Sequence, residues 1–98
     1  MRCGGFGEAR DATDEDQSVL EHVKQEIQNR LGRSYSNIRA VKVTTQVVAG
    51  VNYLMKLQCD SDFVHAKIAK PLPHTGQNPF LLALADGHSA DSALEYIE

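Results

Sequence analysis

The sequence predicts an α+β fold, one helix packed across an antiparallel sheet, and three observations carry that expectation. Apolar residues recur at helical spacing between Thr13 and Gly32. From Ser36 onward the period changes to two, the repeat of a pleated strand. The links between the strands are short, so consecutive strands meander and the helix must bury its apolar stripe against them.

Each element follows from its residues. Residues 1–12, Gly-rich, polar and without periodicity, form a partly mobile arm ahead of the remainder of a single domain, 1–98. Thr13 is a natural N-cap with Asp16 three residues on, acids fill the first turn, and Val19 or Leu20, Val23, Ile27 and Leu31 make the buried stripe. Gly32 supplies the stop. In the first strand Val41, Val43 and Val47 fall on one side by alternation. In the second, Val51, Tyr53, Met55, Leu57 and Cys59 share a face, opposite Asn52, Lys56, Gln58 and Leu54. The third, from Phe63 to Lys70, carries apolar weight on both faces and ends at Pro71 and Pro73. "PLPHTGQNP" is a loop by its prolines, Gly76 and Asn78, and "FLLALA" has the length of a further strand. The closing "ADGHSADSALEYIE" fits neither period.

Composition narrows the function classes. With 42% hydrophobic and 23% charged residues the chain is an ordinary globular one. A net charge of −3 without a basic run argues against nucleic acid or an anionic membrane as partner. "MRCGGFGEARD" has no apolar core of a targeting segment, and the run from Phe80 to Ala85 is too short to span a bilayer, so a cytoplasmic protein is expected. The two cysteines, Cys3 and Cys59, are expected to remain thiols there.

The stretch "TTQVVAGVNYLMKL", residues 44–57, sets two adjacent valines beside an Ala-Gly pair where a hairpin must turn. Hairpins usually turn through Asn-Gly or Asp-Gly. Adjacent residues of one strand point to opposite faces, so one valine must point outward, where it can enter a partner's groove. Alternatively, both valines merely extend the strand and Gly50 supplies a positive φ.

"QVVAG" resembles the first-hairpin motif of the cystatins, inhibitors of papain-like cysteine proteases. "CGG" in the arm and "LPH" at 72–74 are similar to the family's N-terminal glycine region and second loop, in the same order. Lacking a signal segment and paired disulfides, the chain looks most like the stefins, the intracellular branch. That resemblance, which runs through "QVVAGVNY" and "DFVHAKIAKPLPH", implies a five-stranded sheet wrapped around one long helix, with a strand in the arm. It also implies reversible blockade of a cathepsin-type cleft by a three-part wedge. The wedge would consist of Cys3, Gly4 and Gly5; Gln46, Val47, Val48, Ala49 and Gly50; and Leu72, Pro73 and His74. No cofactor or metal is implied. The expected state is a monomer, with a dimer open through domain swapping or oxidation of Cys3.

Other constellations compete with this one. His22, His65, His74 and His88 lack metal-ligand spacing, "DATDEDQSVLEH" lacks the Gly and Glu of a calcium loop, and "CGGFGEAR" lacks the spacing of a dinucleotide fingerprint. A thiol hydrolase would pair Cys59 with His65 or His74. A self-assembling or structural protein would use exposed strand edges.

Overall fold

In the computed structural model, residues 6–94 and 97 are described. The helical stretch begins where its cap residues require. The Thr13 hydroxyl accepts the Asp16 N–H, and the Asp16 carboxylate accepts the Thr13 N–H at 2.8 Å, a reciprocal capping box. Arg10 closes the same corner with two hydrogen bonds to Asp16, 2.6 and 3.1 Å. Asp16 is only 2% exposed. Burial pushes its carboxyl up, but the hydrogen bonds from Arg10 and Thr13 outweigh this and hold it below the usual carboxylate range.

One continuous helix was the expectation; the span divides into two segments, α1 (Asp14–Glu21) and α2 (Lys24–Leu31). Between them His22 and Val23 donate three residues back, to Val19 and Leu20, a tightened 3₁₀-type turn. Ile27 then bonds back to Val23 and regular helix resumes. The apolar stripe continues through the tightened turn, with Val19, Leu20, Val23 and Ile27 all at most 4% exposed. Gly32 ends α2 in the left-handed region at φ 67°.

The strands form one antiparallel sheet in the order β1 (Arg10–Asp11), β2 (Ile38–Val48), β3 (Gly50–Cys59), β4 (Asp62–Lys70) and β5 (Phe80–His88). The arm thus supplies the strand implied by the cystatin resemblance. A bulge between Ala40 and Lys42 resets the phase of β2. Ile38 and Ala40 face the helix before it and Val43 after it, while Val41 is the extra residue and its carbonyl accepts the Ala12 N–H at 3.0 Å. Strict alternation had put Val41 and Val43 on one side; the inserted residue overturns that.

The helix side of the sheet holds the main core, with Met55, Leu57, Cys59, Val64, Ala66 and Ile68 fully buried. Its outer face is also partly closed: Thr44, Leu54, Lys56 and His65 are each at most 4% exposed. The chain beyond β5 crosses this face, where the Lys56 ammonium donates to the carbonyls of Ala90 and Ser92. Both faces of β4 are therefore buried, as its two-sided apolar pattern allowed.

Candidate functional site

The β2–β3 hairpin turns on a single residue. Val48 stands opposite Gly50 in the register with Ala49 between them, and Val47 stands opposite Val51. Val47 is 76% and Val48 47% exposed, so both valines, and not one, present apolar surface. Behind them Asn52 donates to the Gln46 side chain at 3.3 Å.

Gly50 decides what lies next to this tip. Its φ is +113°, and a Cβ there would stand 2.5 Å from the Lys70 carbonyl oxygen, 3.2 Å from Pro71 Cα and 3.3 Å from the Leu72 nitrogen. Only a glycine lets the backbone of the first hairpin lie against the start of the second loop. That loop is stiffened locally: Pro73–Thr75 is a 3₁₀ turn, and both the N–H and the hydroxyl of Thr75 donate to the Leu72 carbonyl. Leu72 is 39% exposed, and Pro73 and His74 are exposed beside it. The arm enters the sheet next to the hairpin, where Gly7 donates to the Thr45 carbonyl at 3.3 Å and the Thr44 hydroxyl donates to the Gly7 carbonyl at 2.6 Å. Of the residues singled out from sequence, Gln46 to Gly50 and Leu72 to His74 come together at one end of the sheet. Cys3, Gly4 and Gly5 lie outside the described residues.

Gln46 to Gly50 carry no titratable side chain. The one described thiol, Cys59, is fully buried in the core, and burial pushes it up to about 11, far from a reactive thiolate. His65 sits on the opposite face of the sheet from Cys59, stacked on His88, so the two cannot form a nucleophile–base pair. His74 is exposed in the second loop beside Gly50, at the other end of β3 from the buried Cys59, so the hydrolase alternative fails with either histidine. Among the described residues no three His, Cys, Asp or Glu side chains group as metal ligands.

Two exposed residues escaped the sequence analysis. Phe80 is 45% and Leu82 40% exposed on β5, at a position where the pairing shifts between Lys67–Ala83 and Ile68–Leu81 and Leu82 becomes the inserted residue. An unbroken apolar run such as "FLLALA" has no phase from which to read this. Phe80 begins β5 opposite Ala69, at the same end of the sheet as the hairpin tip.

Residues 4–81 match the Cystatin domain family. The chain is a cystatin. Its curated relatives place this cystatin on the stefin, type 1 branch. It is 43% identical to Stefin-C of Bos taurus over 72 residues, 72% of this chain and 71% of that one. It is 40% identical to Cystatin-A of Homo sapiens over 83 residues, 84% and 83% of the two chains. Among solved structures, the cystatin is similar to a secreted type 1 cystatin from Fasciola hepatica, with a TM-score of 0.72 at 25% identity, covering 89% of this chain and 98% of that one. Among the described residues, no helix is long and apolar enough to cross a membrane.

Proposed function

We propose that this cystatin is a reversible, tight-binding inhibitor of papain-like cysteine proteases of the cathepsin type, acting in the cytoplasm as a monomer without nucleic acid or membrane. The observation that carries this reading is the contact at Gly50, which joins the exposed valines to Leu72 and Pro73 in one apolar edge. Such an edge fills a cleft and offers no charge that would have to be desolvated. Gln46 to Gly50 occupy the centre of the cleft, Leu72 to His74 one side and Cys3 to Gly5 the other. Both loops are held by the sheet, so little conformational freedom is lost on docking. A protease–inhibitor contact buries about 1,600 Å² in total, and nanomolar affinity corresponds to about −12 kcal/mol.

Titration of papain with the purified protein tests the reading. Stoichiometric loss of activity is the expected result, and full activity at micromolar protein rejects it. A second reading, homotypic assembly, is favoured by β5, which among the described strands pairs with β4 alone and carries the exposed Phe80 and Leu82. Concentration-dependent sedimentation with no effect on papain would select that reading instead.

A further inference from the structure

The outer face of the sheet holds a basic cluster for which the binding edge has no use. Lys56 and His65 stand opposite each other on β3 and β4 and are 4% and 1% exposed. The Lys56 ammonium donates to the carbonyl of Ala90 at 2.7 Å and to that of Ser92 at 2.5 Å. One buried cation, bonded to two neutral acceptors, therefore ties the chain beyond β5 to the sheet. The segment is further folded on itself, Ser89 N–H donating to the Ser92 hydroxyl at 2.9 Å. Beside Lys56, the His65 ring lies flat on His88, with centroids 3.7 Å apart and planes 10° from parallel. The Nε2 of His65 is buried without a hydrogen-bond partner.

Among the described residues, Lys67 lies two residues along β4 on the same face and Lys42 faces Lys56 from β2, each engaged in an interaction of its own, Lys42 with Asp11. Asp86 on β5 and Asp91 in the crossing segment are both exposed. A proton on His65 would place a second cation against the His88 ring and beside the Lys56 ammonium, out of contact with water.

We propose that residues 89–92 are a strap released by protonation: when the buried ring of His65 takes up a proton, the strap leaves Lys56 and opens the outer face of the sheet to water. The direction of the effect follows from the burial of His65. Desolvation first, then His88 and Lys56, lower it from 6.5 to about 4 while the strap is closed. The ring binds protons more readily once exposed, so the closed state holds its full advantage above pH 6.5 and loses it as pH falls towards about 4. This device is independent of protease inhibition.

Backbone ¹⁵N relaxation of Ala90 to Ser92, followed alongside the ring signals of His65 from about pH 7 to about pH 4, tests the strap. The expected result is an ordered segment at neutral pH whose open population rises at least about tenfold with the same midpoint as the His65 ring, while Met55 and Leu57 stay ordered. Lys56→Met should leave the segment disordered already at neutral pH. His65→Gln with His88→Gln should make its order independent of pH. The proposal is overturned if the segment stays ordered to about pH 4, if its midpoint departs from that of His65, or if it loses order only together with the core strands. Should the double variant fail to fold by circular dichroism, the agreement of midpoints in the unaltered protein decides alone.

Discussion

Gly50 does more at the residue scale than turn a hairpin, since the missing Cβ is also what sets the second loop against the first. Gly50→Ala combines a strained positive φ with a 2.5 Å approach to backbone, so a loss of about 2 kcal/mol or more is expected in urea denaturation. Papain inhibition should weaken further than the stability loss explains, because the two loops must separate. The exposed valines behave oppositely. Val47→Asp with Val48→Asp touches no core contact, so the denaturation midpoint should move little, whereas dissociation from papain should accelerate by a factor equivalent to about 2 kcal/mol or more. Unchanged dissociation rates would remove the hairpin from the binding edge.

Among the elements, the corner between β1 and α1 is held by one carboxylate. Asp16 receives the N-cap backbone, the Thr13 hydroxyl and the Arg10 guanidinium, and thereby joins the arm's strand to the helix start. Thr13→Ala should cost about 1 kcal/mol, as N-cap losses do. Asp16→Asn should cost about 1–3 kcal/mol at neutral pH. Because Asp16 lies below its ordinary 3.8 when folded, its contribution is complete above pH 3.8 and disappears as pH falls through that lower value. The stability gap between Asp16→Asn and the unaltered protein, measured by urea titration at several pH values, should therefore close in strong acid. A gap that does not vary with pH would show that packing, not charge, matters at this corner.

For the whole molecule, burial on both faces of the sheet makes the core thiol a reporter of complete opening. Cys59 has no exposed surface and its thiolate is strongly disfavoured, so reagents must wait for the fold to open. In a Cys3→Ser background, labelling of Cys59 should be slow, and its rate should rise with urea along the same slope as global unfolding. Fast labelling in water would mean that the β2–β3–β4 sheet opens locally.

The cap at Thr13, the stop at Gly32, the change of period after Ser36 and the motifs "QVVAG" and "LPH" are local matters, and the sequence by itself determined them. Each depends on side chains acting within one turn or one pleat. Tertiary structure alone decided four other features. The bulge at Val41 changes which valine is buried; the tightened turn at His22 and Val23 divides the helix; the bulge at Leu82 turns an apolar run outward; and the segment crossing over Lys56 helps to bury a lysine and a histidine on the sheet face away from the helix. The same holds for the contact between Gly50 and Lys70, residues on different hairpins. For the sheet features the physical reason is shared. A one-residue register shift, or a covering segment that follows the last strand, depends on how separate strands meet in space, and no periodicity along a single strand encodes it.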